Sequence, residues 1–186
     1  MSALRLFAAL SLPDDLREGI AAMQDGGVPG ANWVEPDMFH ITLAFFGEVD
    51  GAMAHDIDVE LSSIRHPALS LSLSGVDVFG GKKPHAMFAR VNPDDSLDLL
   101  ASRCVAAGRR AGVTHSDGKY RPHVTLARLR QADTGRVMNW VSRNSLYQSR
   151  VFEAATFTLF SSHPRHGGHH YVAEREYRLE GGALPL

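Results

Sequence analysis

The chain is predicted to be an α+β protein built by internal duplication: two lobes, each a small antiparallel sheet backed by helices, with a cleft between them. Three observations predict this. A pentapeptide occurs twice, as His40-Ile41-Thr42-Leu43-Ala44 and His123-Val124-Thr125-Leu126-Ala127, 83 residues apart. When the chain is slid against itself by that offset, strand-like segments fall on strand-like segments and helix-like on helix-like. The composition, 44% hydrophobic and 22% charged with no low-complexity tract, is that of an ordinary globular protein. A chain of 186 residues reads as one domain, 1–186, with pseudo-repeat lobes about 1–92 and 93–186 between which elements can be exchanged.

The elements follow in order. Leu4 to Leu10 is an apolar strand that maps onto Met87 to Pro93. Pro13-Asp14-Asp15 opens a helix running to Gln24, since proline suits a first turn and carboxylates suit its positive end; it maps onto Ser96 to Ala107. The two pentapeptides are strands, in which residues two apart share a face. Ala52 to Ile64 carries Ile57, Leu61 and Ile64 at helical spacing and maps onto Gly135 to Tyr147, with Val137, Trp140, Val141 and Leu146. The alternating run Leu69 to Leu73 maps onto Phe152 to Thr156, at the start of a strand ending near Phe160. Each motif strand is expected at the centre of its lobe, with Ile41/Leu43 and Val124/Leu126 under the helices and the His-Thr faces opposed across the cleft. Cys104 shares an apolar stripe with Leu97, Leu100 and Ala107 and is read as core.

Charge and hydropathy exclude several classes. A net charge of −2 does not suit a protein that grips long nucleic acid through many phosphates, but it is compatible with a substrate of one or two phosphates or an RNA end. No run approaches the roughly 20 apolar residues of a membrane span. A single cysteine makes no internal disulfide, and a cytoplasmic monomer without a stable protein partner is expected.

Each motif sets an imidazole beside a hydroxyl on one strand face. Histidine, with an unperturbed pKa of about 6.5, serves as acid or base near neutrality. Two such strands place His40, His123, Thr42 and Thr125 around one anionic group. One imidazole can deprotonate an attacking water and the other protonate a leaving oxygen, while the hydroxyls donate to non-bridging phosphate oxygens. The arrangement demands no metal and no cofactor.

These residues resemble the two-histidine (2H) phosphoesterases, and within them the bacterial RNA 2′,3′-cyclic phosphodiesterases, also called 2′-5′ RNA ligases. The resemblance lies in Arg5-Leu6-Phe7 with Leu12-Pro13, in Trp33-Val34, in Phe39 to Leu43 leading to Phe46-Gly47-Glu48-Val49, and most specifically in Arg121 to Arg128. It implies opening of a 2′,3′-cyclic phosphate at an RNA 3′ end to a 2′-phosphate. His40 is then the proton donor to the departing 3′-oxygen and His123 the base that activates water. Weak 2′-5′ ligation is also implied, with an RNA 5′-hydroxyl in place of water. One departure is Phe88, where relatives often carry a tryptophan.

Further contacts are weighed by strand parity. Arg121, two residues before His123, has the parity to reach the phosphate. Arg128 and Arg130 lie opposite His123 by strict alternation, and only a twist or bulge turns them inward. Phe46 shares parity with His40 and is the candidate for base stacking, whereas Phe39 and Phe45 default to core. Lys82 and Lys83 read as a solvated loop. The run His163 to His170 offers a rival metal site, but its Pro and Gly residues read as a mobile loop rimming the cleft, with Tyr171 after it a strand-core residue. Two other function classes stay open: a nucleotide-binding module without turnover, and a metal-dependent hydrolase centred on residues 163–170, which would need His166 and His169. A phosphodiesterase acting on a different small cyclic ester is a further alternative.

Overall fold

The structure is a computed structural model describing residues 4–114, 118–165 and 168–181. Its elements are β1 (Leu4–Ser11), α1 (Asp14–Ala22), β2 (Ala31–Trp33), a 3-10 turn (Pro36–Met38), β3 (His40–Val49), α2 (Gly51–Ser62), β4 (Leu69–Leu71), β5 (Leu73–Phe79), β6 (Ala86–Val91), α3 (Asp95–Arg110), β7 (His123–Leu129), α4 (Thr134–Arg143), β8 (Phe152–Ala154), β9 (Thr156–Arg165) and β10 (Gly168–Arg178). The fold is α+β, and the duplication is visible in its pairings. β3 and β7, α2 and α4, β4 and β8, and β5 and β9 each begin 83 residues apart. Even the helix caps repeat. Asp50 accepts from the Met53 N–H at 2.9 Å and Asp133 from the Arg136 N–H at 2.9 Å, each satisfying a first-turn donor that the helix itself leaves unpaired.

The strands run β10-β9-β1-β3-β7-β6-β5 in one sheet, with β2 also on β7 and a separate β4-β8 ribbon. The two lobes meet at β3 and β7 through a single pair, Ile41 with Val124. Those two residues are equivalent under the duplication. So is the centre of the ribbon, where Ser70 pairs with Glu153. A pseudo-twofold axis therefore passes through both points. On one side of it β1 pairs with β3 and with β9 from the other half; on the other side β6 pairs with β7 and with β5 from the other half.

This corrects the expected placement of the motif strands. Each stands at the border of its own lobe's sheet and becomes central only because the two sheets join there.

The helices obey the same exchange. α3 packs under β3 and against α2. On the other side the Trp140 indole of α4 donates to the Met23 carbonyl at the end of α1 at 2.9 Å and tilts against Trp33 at 5.5 Å. Ile41, Leu43, Val124 and Leu126 lie in the core beneath the sheet, each at most 2% exposed. Burial of such side chains contributes roughly 1.5–3 kcal/mol each and holds His40, Thr42, His123 and Thr125 on the opposite strand face. Leu97, Leu100, Cys104 and Ala107 are buried as the stripe predicts, and burial pushes the Cys104 thiol up to about 12. Leu146 departs from expectation: it lies past the end of α4 and is 90% exposed. No helix among the described residues is long and apolar enough to cross a membrane.

Candidate active site

His40 and His123 are the first residues of β3 and β7. Each is oriented by the carbonyl two residues before it. His40 Nδ1 lies 2.7 Å from the Met38 oxygen, and His123 Nδ1 lies 2.7 Å from the Arg121 oxygen. A carbonyl only accepts, so both Nδ1 atoms carry hydrogen, and both Nε2 atoms hold the lone pair that titrates. The 3-10 turn supplies the first carbonyl and the chain entering Pro122 the second. The antiparallel register through Ile41 and Val124 sets the imidazoles on a diagonal across the seam, with the half-buried Thr42 and Thr125 hydroxyls beside them.

A bulge interrupts each motif at its fourth residue. In the β1–β3 ladder Ala8 faces Ala44 and Ala9 faces Thr42, leaving Leu43 unpaired; in β6–β7 Met87 faces Ala127 and Phe88 faces Thr125, leaving Leu126 unpaired. An extra residue reverses the alternation beyond it. Arg128, opposite His123 by simple parity, therefore emerges on the histidine face, where it is exposed and its charge acts on His40. Arg130 lies one residue past β7, exposed at the sheet end, with its N–H on the Gly30 carbonyl; no described contact draws it to the histidines. Arg121 sets its guanidinium over the Phe79 ring at 5.5 Å and bears electrostatically on His123.

The same reversal overturns the expectation for Phe46. After the bulge Phe46 turns into the core at 4% exposure, which denies it to a base, and Phe45 turns out at 63%. A second irregularity at Phe46 itself is accommodated by Gly47, whose φ of +75° suits glycine. Phe39 is core as expected, at 2% exposure.

Burial dominates the electrostatics of the pair. It lowers His40 to about 4, opposed by the Met38 carbonyl and reinforced by the charges of His123 and Arg128. His123 is lowered in the same way: burial first, the Arg121 carbonyl opposing, the Arg121 charge adding. Both imidazoles are therefore neutral in the free protein at pH 7. An anionic phosphate between them favours the imidazolium and returns a proton to the site.

Aromatic side chains wall each histidine. Phe7 lies 5.0 Å and Tyr171 5.3 Å from His40; Phe79 lies 4.8 Å and Phe88 5.4 Å from His123. Phe88 stacks on Phe79 at 4.1 Å, so it keeps the apolar wall without an indole donor. Tyr171 is half-buried and set against His40, a placement that only the pairing of β10 with β9 reveals. Tyr120 also escapes sequence reasoning. Its hydroxyl donates to the Thr42 carbonyl at 2.9 Å, tying the segment before His123 to the first motif. Beside His40 opens a cleft of about 370 Å³, lined by Arg17, Glu35, Asp37, Arg165, His170 and Tyr171 among others.

The described residues of the His-rich run lie in β9 and β10. His163 pairs with His170 across β9 and β10, their rings stacked at 5.1 Å. The Ser161 hydroxyl lies 2.7 Å from His163 Nε2 and also bonds Glu174. His166, the other residue of the metal reading, lies outside the described residues. Among the described residues no three His, Cys, Asp or Glu are grouped to hold a metal ion. Lys82 and Lys83 are exposed in a turn.

The sequence matches the 2′-5′ RNA ligase superfamily over residues 12–163. It is 28% identical over 182 residues to the RNA 2′,3′-cyclic phosphodiesterase of Escherichia coli, covering 94% of this chain and 96% of that one. The enzyme of the same name from Thermus thermophilus is 30% identical over 151 residues, 72% of either chain. Among solved structures, Escherichia coli LigT complexed with 3′-AMP superposes with a TM-score of 0.80 at 25% identity, over 96% of this chain and 99% of the other. The repeated motifs, the pseudo-twofold pairing and these likenesses lead to one conclusion: the chain belongs to the 2′-5′ RNA ligase superfamily of two-histidine phosphoesterases.

Proposed function

We propose that the protein hydrolyses the 2′,3′-cyclic phosphate at an RNA 3′ end to a 2′-phosphate, using the two histidines without a metal. The observation that carries this reading is the pair of imidazoles, each with Nδ1 spent on a backbone carbonyl and Nε2 free, on either side of one seam. In-line displacement needs a proton acceptor and a proton donor on opposite sides of phosphorus, which a pseudo-twofold pair provides.

Neutral His123 takes a proton from water at Nε2 as the water oxygen bonds phosphorus. The P–O3′ bond breaks, and His40, protonated in the complex, gives its Nε2 proton to the departing 3′-oxygen. The products are a 2′-phosphomonoester and a 3′-hydroxyl. Solvent returns the pair to its starting protonation. Thr42 and Thr125 donate to the non-bridging oxygens, and Arg128 and Arg121 add positive charge nearby. Each proton transfer is worth about 10²- to 10⁴-fold in rate. With an RNA 5′-hydroxyl in place of water, the same displacement opens the ring to a 2′-5′ linkage and a 3′-hydroxyl.

The roles of the two histidines are separable. A phosphodiester whose leaving group departs without a proton, such as a 4-nitrophenyl ester, restores turnover to His40→Ala but not to His123→Ala. Equal loss in both variants on that substrate would refute the assignment of acid and base.

A further inference from the structure

We propose that the motif face of β1 and β3 holds a second nucleotide subsite, in which Phe45 stacks the base preceding the cyclic-phosphate terminus, with Arg5 beyond it on the side from which the strand arrives. This rests on the hydrolase reading and extends it from the reacting phosphate to the RNA that carries it.

Phe45 is 63% exposed and is the one aromatic among the strongly exposed large hydrophobic residues of the described chain. Exposing such a ring forgoes the stabilisation that burial brings to Phe46 beside it. The ring is nevertheless held in place. It packs at 5.9 Å on Phe7, which lies 5.0 Å from His40 and stacks on Phe160 at 5.4 Å. Phe45 therefore stands two ring steps from the proton donor, a span that one nucleotide of an extended strand covers, and it presents an open face. The bulge at Leu43 is what turns it there.

Positive charge accompanies the ring. Arg5 is exposed and shares the face of Phe7, two residues on in β1, and both Arg5 and Arg128 act on the Tyr171 hydroxyl. In register Arg5 stands opposite Glu48, one step beyond the Phe7–Phe45 pair from His40. An aromatic platform beside cations is the equipment for sequence-tolerant binding of a single strand. The other exit from His40 is less suited to a phosphate. In that cleft Arg17 is held by Asp14 and Arg165 by Glu35 at 2.6 Å, and Asp37 adds a further carboxylate.

The test compares adenosine 2′,3′-cyclic phosphate with an oligonucleotide ending in the same group, on wild type, Phe45→Ala, Phe45→Trp and Asp37→Asn. Loss of one stacked base raises the KM of Phe45→Ala for the oligonucleotide by about 5- to 150-fold. Its kcat/KM for the mononucleotide stays at the wild-type value, and Phe45→Trp restores the oligonucleotide KM. The proposal is overturned if Phe45→Ala changes neither substrate or both in proportion, or if Asp37→Asn alone is selective for the oligonucleotide. Wild type inert on both substrates would instead refute the hydrolase reading. Equilibrium binding of a 2′-phosphate-ended oligonucleotide to wild type and Phe45→Ala then still decides the subsite, because it needs no turnover.

Discussion

Replacing His40 by asparagine flattens the acid limb of the protein's stability. Burial holds the folded-state imidazole at about 4 against an ordinary value of 6.5. Between those two values the unfolded chain binds the extra proton, so stability is fully present above pH 6.5 and falls as pH is lowered toward 4. At pH 5 the unfolded imidazole is almost wholly protonated and the folded one almost wholly neutral. The linkage integral over that interval gives a loss of about 2 kcal/mol from this one residue. Urea unfolding of wild type and His40→Asn at pH 7.5, 6, 5.5 and 5 reads the difference directly. The midpoints of the two proteins converge as pH falls, because the variant lacks the titrating group. Parallel curves would refute the reasoning, since they would mean that His40 titrates alike in folded and unfolded chains. The same shift bears on function, because a resting imidazole that is neutral at pH 7 acts as an acid only once a bound phosphate has raised its affinity for a proton.

Other consequences are accessible by standard measurements. Arg128→Gln removes a positive charge that bears on His40, so the NMR titration midpoint of that imidazole rises above its wild-type value; an unchanged midpoint would place the guanidinium elsewhere. Tyr120→Phe removes the hydroxyl bonded to the Thr42 carbonyl and costs about 1 kcal/mol of stability in urea unfolding. In that variant kcat falls several-fold with KM preserved, whereas a purely structural tyrosine would leave kcat intact. His163→Ala with His169→Ala leaves activity at the wild-type level and changes no metal stoichiometry in elemental analysis, since neither side chain touches the histidine pair.

The duplication was legible because it rests on local features: a repeated pentapeptide, helical spacing of Ile57, Leu61 and Ile64, and alternating Leu69 to Leu73, each recurring at one offset. The inferred order of strand, helix, motif strand, helix and strand recurs in both halves of the structure, which adds β2 and a 3-10 turn before the first motif, divides each last strand in two as β4/β5 and β8/β9, and appends β10. The bulges were not read, and they misdirected the account of Phe45 and Phe46. A bulge adds one residue without a composition of its own. Its trace was nonetheless present as a break in alternation, the paired apolar residues Leu43-Ala44 and Leu126-Ala127 at the same point of both copies. The joined sheet, the placement of Tyr171 on His40 and the bond from Tyr120 to Thr42 depend on pairings between residues far apart in the chain. No local pattern encodes those.

The central claim is that two histidines, and no metal, open a cyclic phosphate in one direction. An RNA oligonucleotide ending in a 2′,3′-cyclic phosphate, incubated in EDTA with wild type, His40→Ala and His123→Ala, tests it most directly. The account predicts conversion to a 2′-phosphate by wild type and at least a hundredfold slower conversion by either variant. Activity abolished by EDTA, a 3′-phosphate product, or a fully active His123→Ala would contradict it.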